Sequence, residues 1–301
     1  MHKLLQAYLL AEEDADLKAI EDLDKQVKGS RDPVAKLIRA RRDQLKAEVQ
    51  AEKVFKSSLS KARQQLVKTM EQVALTTDPQ LLLSFDDDQL LDLLLRSGMG
   101  LAVDDFIEQS DRVRDAFEKS LDVINVDLSP QAMPQMDLLQ ANASTAIFED
   151  VILPDYKKAM RDAFQSLATQ LPVGVVIGDL QRRLEQSEGR QLTEVRTSIS
   201  ELGRSLTATA AAAADLDLYL YTGPKDGITR PFCRALIGLV VDETQMSKLN
   251  NGQGKSVKIS CGGYNCRHSW SPVTDSFVEA ADLDRAKQSD ISKANAGAKK
   301  R

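Results

Sequence analysis

Apolar residues recur every three or four positions over long stretches of the chain, a period that predicts amphipathic helices. The first stretch covers residues 3–28 and ends at Gly29-Ser30. A second begins at Asp32-Pro33, an N-cap followed by a first-turn proline, and meets no helix breaker before about Ala74. Its second half carries a narrow apolar stripe that suits a coiled-coil seam or a long helix packed on a bundle: Phe55, Leu59, Ala62, Leu66, Met70 and Val73.

The pattern that follows predicts shorter helices. They cover residues 89–95, 101–124 and 146–171, the last of them kinked at Pro154, and a further short helix ends near Gly189-Arg190. Residues 125–145 contain Pro130 and Pro134, so we expect a loop or a broken helix there.

The chain changes character after residue 221. A helix from Gln191 runs through the alanines at 210–214 into a strand-like segment at 218–221. Gly, Pro, Asp, Cys and aromatic residues then cluster, which predicts turns and short strands up to Val273. The Ala-, Lys- and Ser-rich residues 284–301 are predicted to be a loose basic tail.

Together these patterns predict a mostly α protein with an extended helical N-terminal region and a small α+β C-terminal module. The expected organisation is a helical interaction region over 1–190, the module over 191–283 and the flexible tail over 284–301.

The low aromatic fraction of 5% argues against an all-β fold. No apolar run approaches the ~18 residues of a membrane span. Three cysteines are too few for a disulfide scaffold, so a reducing compartment is expected.

Charge is unevenly distributed. Residues 31–68 contain 11 Lys/Arg against 4 Asp/Glu, whereas residues 71–150 contain 4 against 17. The basic helix could contact packaged double-stranded DNA or an acidic protein surface, and its candidate contact residues are Arg39, Arg41, Arg42, Lys46, Lys53 and Lys56. Solvated helix faces with uneven charge are the plain alternative. DNA contact would show a log–log salt slope of about −0.9 per phosphate neutralised.

An ordered pair of motifs lies in the last third of the chain. The segments DGITRPFC and GGYNCRHSW follow a long helix that contains Arg196-Thr197. This arrangement over residues 190–275 resembles the C-terminal module of the Mu F-like phage head morphogenesis (minor head) proteins. The matching residues are Arg196, Thr197, Asp226, Thr229, Arg230, Cys233, Asn265, Cys266, Arg267 and His268.

The resemblance implies a virion component, made in the host cytoplasm and placed inside the head or at the portal vertex. Proteins of that family are thought to assist head assembly and genome packaging or ejection by binding rather than by catalysis. The implied partners are the portal and other head or neck proteins, with packaged DNA as a further one. The alternative function is non-sequence-specific nucleic-acid binding through the basic helix.

The cysteines and one histidine form a candidate zinc site. Cys233, Cys261, Cys266 and His268 follow the pattern C-x27-C-x4-C-x-H, which matches a structural Cys3His site in ligand type and number. Relative to the family, Arg230 replaces the first cysteine of a Cys-x-x-Cys pair and His268 replaces the last of a Cys-x-Cys pair. Cys261 would therefore supply the missing ligand.

Three further interpretations of these residues remain open. The thiols could pack as small apolar groups in a metal-free fold, while Asn265, Arg267 and His268 bond to the backbone. Two cysteines could be oxidised in an extracellular virion. A Cys–His dyad of Cys266 and His268 is formally possible, but no oxyanion or orienting element accompanies it, so we expect no enzyme.

Overall fold

The computed structural model describes residues 2–28, 30, 32–124, 126, 130 and 132–299, with side chains from residue 14 onward apart from residue 120. Its first helices are α1 (His2–Val27), α2 (Pro33–Thr76), α3 (Pro79–Leu82), α4 (Asp87–Arg96), α5 (Met99–Asp122) and α6 (Ala132–Thr145). A π-helix (Ala146–Ile152), α7 (Leu153–Ala168) and the long α8 (Val173–Ala213) follow. The elements after these are β1 (Leu218–Thr222), α9 (Pro231–Arg234), β2 (Val240–Asp242), α10 (Glu243–Met246), α11 (Val257–Ser260), β3 (Ser269–Val273), α12 (Asp275–Ala280) and α13 (Gln288–Ala298).

The predicted fold class is confirmed: the chain is mostly helical, with a small antiparallel sheet near its C-terminal end. Among the described residues, no helix is both long enough and apolar enough to span a membrane. Contacts divide the chain into two units, and the boundary predicted after residue 190 lies inside α8.

The first unit comprises Met1–Leu9, Ala51–Gln109 and Asn142–Val195. Its core contains Phe55, Phe106 and Phe148, whose rings meet edge to face at centroid distances of 5.7 to 6.3 Å. Phe55 begins the predicted apolar stripe of α2, and every stripe residue through Met70 is buried. The helical period was therefore a sound guide to this core.

The π-helix is explained by the proline that follows it. Pro154 lacks an N–H and its ring crowds the carbonyl four residues earlier, so the regular α-helical ladder cannot continue into it. The wider turn of Ala146–Ile152 absorbs this conflict, and the Leu153 N–H donates to the Phe148 carbonyl five residues back. The kink predicted at Pro154 thus takes the form of a π-helical turn.

The second unit comprises Leu10–Gln50, Ser110–Ala141 and Arg196–Arg301. Its sheet has the order β2-β1-β3, and β1 is antiparallel to both neighbours. Tyr221 of β1 lies opposite Trp270 of β3. The core beside the sheet includes both residues together with Phe232, Leu236 and Val241.

Three local predictions are wrong. For residues 125–145 a loop or a broken helix was predicted, and the loop is wrong for residues 132–145: they form α6, because Pro134 lies in its first turn, where a missing N–H costs nothing. The helix predicted to end near Gly189-Arg190 continues as α8. The flanking Leu184 and Leu192 are buried, and their packing outweighs the low helix propensity of Gly189.

The third correction concerns the tail. Residues 288–298 form α13, which packs against α9 and buries Ile291 and Ala294. Gly297 lies so close to the backbone of Pro231 and Phe232 that a Cβ there would be 2.9 Å from it. Composition suggested a loose segment, but two apolar positions three residues apart are enough to dock a short helix on a neighbouring core.

Candidate metal centre

Three of the predicted ligands converge in the second unit. Cys233 lies in α9, Cys266 lies in the loop before β3, and His268 immediately precedes that strand. Their exposed fractions are 1%, 6% and 3%. Their ligand atoms all lie within 4.8 Å of one another, so the group could hold a metal ion.

Two of the three separations between these ligand atoms fit a tetrahedral metal. With metal–sulfur bonds of about 2.3 Å and metal–nitrogen bonds of about 2.0 Å, tetrahedral angles place two sulfurs about 3.8 Å apart and a sulfur and a nitrogen about 3.5 Å apart. The Cys233 and Cys266 Sγ atoms are 3.8 Å apart. Cys266 Sγ is 3.5 Å from His268 Nδ1. Weak thiol hydrogen bonds have similar lengths, so the metal-free arrangement predicted as an alternative fits these two distances as well.

The orientation of His268 favours a ligand role. Its Nε2 lies 3.0 Å from the Pro224 carbonyl oxygen, which can only accept, so Nε2 carries the proton. Nδ1 then presents its lone pair toward Cys266 when the ring is neutral. A ligating histidine usually donates its second ring N–H to a carbonyl or carboxylate in this way.

Two glycines let the backbone approach the cluster. A Cβ on Gly262 would overlap Cys233 Sγ, and the Gly262 N–H donates to Cys266 Sγ over 3.2 Å. A Cβ on Gly223 would overlap the His268 ring. A side chain at either glycine would therefore displace one of the candidate ligands.

A buried arginine on α8 bonds to the loop before β3, which contains Cys266 and His268. Arg204 donates to the carbonyl oxygens of Cys266, His268 and Ile259, the latter two over 3.2 and 3.3 Å. These carbonyls lie in short or irregular segments, where a regular backbone ladder cannot supply every donor. Arg204 therefore positions both Cys266 and His268 through their own backbone.

Two further arginines bond to the same loop. Arg230 donates to the Gly262 carbonyl over 2.7 Å and to the Tyr264 carbonyl. Arg41 donates to the Arg267 carbonyl over 3.0 Å and forms a buried ion pair of 2.7 Å with Glu48. The loop is thus held at successive carbonyls by cationic side chains.

Asp226 links the two motifs through an Asx-type turn and an ion pair. Its Oδ1 accepts from the Ile228 N–H and from the Thr229 hydroxyl, which forms an Asx-type turn. Its ion pair is with Arg267 at 2.6 Å, whereas Arg230 bonds to the Gly262 carbonyl instead. This pair ties the first motif to the second.

The thiols differ in their electrostatics. Burial acts to raise the pKa of Cys266, but its hydrogen bond with Cys233 and the nearby His268 outweigh burial and place that pKa well below the ordinary value. The hydrogen bond with Cys266, followed by burial, raises the pKa of Cys233 well above its ordinary value. Cys266 is therefore the sulfur best prepared to bind a cation as a thiolate.

The structure does not bring Cys261, the predicted fourth ligand, into the group that Cys233, Cys266 and His268 form among the described residues. Cys261 is nevertheless fully buried. It caps the C-terminal end of α11 with a φ of 48°, and burial raises its pKa to about 12. Sequence spacing gave its proximity to Cys266 but not the direction of its side chain.

The basic residues predicted to contact DNA or a partner have different environments. Arg41 is 3% exposed and paired, so its assignment as a surface contact is wrong. Arg42 pairs with Asp24 and Asp43, and Arg39 donates to the carbonyls of Val27 and Ser30. Lys46 and Lys53 are exposed, and Lys56 is half-buried.

Sequence reasoning missed Arg204 and Tyr221. Arg204 lies on a helix among other polar residues, where its burial leaves no sequence signal. Tyr221 lies on β1 with its ring stacked on His268 at 5.4 Å and its hydroxyl 3.4 Å from Cys233 Sγ. Its position in an apolar, aromatic strand indicated a core residue, and its polar role depends on the fold.

The chain matches no protein-family model, no curated protein and no solved structure. Its family membership therefore stays a prediction from the two motifs, and its function is argued from the geometry above.

Proposed function

We propose that this chain is a phage minor head or portal-vertex structural protein that assists head assembly and genome packaging or ejection. The proposal is supported by one observation: residues of the two motifs bond to each other and to the intervening backbone. Asp226 pairs with Arg267, Arg230 holds Gly262, and Cys233 contacts Cys266. The motifs thus act as a structural unit, as expected of a protein that works by binding.

The same geometry argues against a thiol hydrolase. Cys266 Sγ faces Cys233, the Gly262 N–H and His268 Nδ1, and the other nitrogen of His268 faces a backbone carbonyl. Both side chains are buried. A nucleophile must instead present its sulfur to a substrate beside an open oxyanion position.

We further propose that the metal is structural zinc. Thiolate and imidazole ligands suit Zn²⁺, which is redox-inert and adopts the tetrahedral geometry that the two measured edges fit. When bound, zinc would cross-link α9 to the loop before β3. Cys233, Cys266 and His268 would hold it, while Pro224 and Arg204 fix the orientation of the ligands.

The alternative function, nucleic-acid binding through the basic helix, has less support. Arg41 is buried in an ion pair, and Arg42 is shared between two aspartates. Of the six predicted contact residues, only Lys46 and Lys53 are exposed. A phosphate-binding surface normally presents several free Lys and Arg side chains together.

Particles produced by the phage that encodes the chain provide the functional test. Mass spectrometry of virions and procapsids, with a particle reconstruction, should find the chain inside the head or at the portal vertex. Absence from both kinds of particle would contradict the proposal. Salt-dependent DNA binding by the isolated protein, combined with that absence, would favour the alternative.

A further inference from the structure

We propose that the hydroxyl of Tyr221, and not a third cysteine, supplies the fourth donor to the metal. This inference rests on the proposed zinc site, because it assigns that site's open position. Cys233, Cys266 and His268 account for three donors, whereas a structural zinc is almost always four-coordinate. A fourth donor from the protein is best sought among the polar atoms that already face the cluster.

The position of the Tyr221 oxygen carries the assignment. Its Oη lies 3.4 Å from Cys233 Sγ and 3.9 Å from Cys266 Sγ. A tetrahedral zinc with an oxygen ligand at about 2.0–2.2 Å would place that oxygen about 3.5–3.7 Å from each sulfur. The two measured distances bracket this range. With the sulfur–sulfur and sulfur–nitrogen edges, four edges of the expected tetrahedron are accounted for.

The fold holds this oxygen in place. Tyr221 is fully buried in β1, the central strand of the sheet. Its backbone bonds to Leu239 and Gly238 on one side, and its ring packs between His268 and Trp270 at centroid distances of 5.4 and 4.4 Å. A donor on a packed central strand is positioned before the metal binds, so little ordering entropy opposes coordination.

Cys261 is the competing donor, since sequence spacing alone selects it. It is as deeply buried as Tyr221, but its sulfur does not join the close ligand group of the described residues. Its backbone is committed as well: its N–H donates to Val257 and its carbonyl accepts from Asn251. These bonds hold its backbone in the turn at the end of α11, where its φ is 48°.

The test compares two conservative variants of the full chain. Tyr221→Phe removes only the hydroxyl, and Cys261→Ser removes only the competing sulfur. Tyr219→Phe is the matched control, because that tyrosine is also on β1 but its hydroxyl bonds to Leu216 and Glu243. Zinc affinity is measured by competition with a chelator, and Co²⁺ replaces zinc to report geometry and the number of thiolates by absorption.

We expect Tyr221→Phe to weaken zinc binding by more than the roughly 10–100-fold that loss of a hydrogen-bond partner of a ligand causes, and to change the ligand-field bands of the Co²⁺ protein. Cys261→Ser and Tyr219→Phe should leave affinity and spectrum unchanged. A weaker site with less sulfur-to-cobalt absorption in Cys261→Ser, together with an unchanged Tyr221→Phe, would overturn the inference while leaving zinc in place. A wild-type protein that binds no zinc would remove the zinc proposal itself.

A crystal structure of the zinc-loaded wild-type protein decides the matter even if Tyr221→Phe does not fold. A zinc–Oη distance of about 2.0–2.2 Å supports the assignment. A zinc whose fourth ligand is Cys261 or a water, with the Tyr221 hydroxyl merely donating to Cys233 Sγ, overturns it.

Discussion

The first unit and the segment 218–273 are stabilised in different ways. Long helices satisfy their own backbone groups, so the first unit needs only apolar packing, as around Phe55, and its ion pairs lie mainly at the surface. The segment 218–273 consists of strands and helices of three to five residues. Its loop carbonyls are bonded by buried or half-buried arginines instead.

The difference shows what a short-element segment requires. Elements this short provide few backbone hydrogen bonds of their own, and a small core supplies little stability without a further constraint. Cationic side chains on the loop carbonyls are one such constraint, and the metal that we propose between α9 and the loop before β3 would be a second. The contrast predicts that ligand and arginine substitutions act on the segment, while apolar truncation acts on the helical unit.

The largest effect is expected for Cys266→Ala. Removing this ligand should abolish zinc binding, and because the free energy of a structural zinc, about 10–16 kcal/mol in small domains, is largely folding free energy, the segment should unfold. Trp270 is the sole tryptophan of the chain and contacts Tyr221, so its fluorescence reports this segment. A native emission spectrum and full zinc content in the variant would contradict the prediction.

Phe55→Ala should act on the helical unit instead. Losing a fully buried ring that contacts Phe106 and Phe148 should lower the free energy of unfolding by about 3–5 kcal/mol. Denaturant unfolding followed by far-ultraviolet circular dichroism measures it, and zinc content should not change. Leu75→Ala, at a 68% exposed position, is the control and should change stability by less than about 0.5 kcal/mol.

Arg204→Met should come next in size. The variant keeps much of the side chain's bulk but leaves the carbonyls of Cys266, His268 and Ile259 without this donor, at an expected cost of about 3 kcal/mol. It should also weaken zinc binding, which a purely packing role would not do. Arg182→Met, where the side chain is 57% exposed beside Asp179, should cost less than about 1 kcal/mol. Equal losses in the two variants would disprove the special role of Arg204.

Asp226→Asn should produce a smaller, pH-dependent effect. Burial acts to raise the pKa of Asp226, but hydrogen bonds from Arg267 and Thr229 outweigh it and the pKa lies below its ordinary value. Such a carboxylate stabilises the fold above its unfolded pKa of about 3.9 and loses this contribution as the pH falls through the folded value. The variant should therefore be about 1 kcal/mol less stable at pH 6 and should converge with the wild type in acid.

Comparing the wild type with Asp226→Asn at each pH isolates the contribution of this carboxylate, because protonation of the proposed metal ligands affects both proteins alike. Urea unfolding at several pH values is the measurement. A difference that stays constant down to pH 2 would show that the Asp226 carboxylate does not contribute through its charge.

The smallest effect is expected for the triple variant Lys46→Ala, Lys53→Ala and Lys56→Ala. None of these side chains is fully buried, so stability should change by less than about 0.5 kcal/mol per site. Filter binding of DNA across a salt series shows whether they contact phosphate. A steep salt dependence in the wild type that these substitutions reduce would revive the nucleic-acid alternative.

The helices were the most predictable part of the structure. The stripe from Phe55 to Met70 is buried as its spacing predicted. Helix ends were less predictable, because Gly189 and Pro134 act as breakers only when packing does not compensate. Such compensation depends on residues distant in sequence.

The candidate site was predictable in residue type but not in geometry. The motif spacing selected Cys233, Cys266 and His268, which converge. It also selected Cys261, which lies in the turn at the end of α11. Charge distribution selected Arg41 as a surface contact, although this side chain is buried in an ion pair with Glu48. Tyr221 and Arg204 reach the cluster from β1 and α8, and no local pattern encodes that approach.

The zinc content of untagged wild-type protein, purified without chelator, decides whether Cys233, Cys266 and His268 stabilise the segment 218–273 by binding a metal. We predict about one zinc per chain, lost in Cys266→Ala and retained in Cys261→Ser. A zinc content below about a tenth of an equivalent in the wild type, with Trp270 fluorescence showing that the segment is folded, would contradict the proposed zinc site. Hydrogen bonds would then be sufficient to hold the loop before β3.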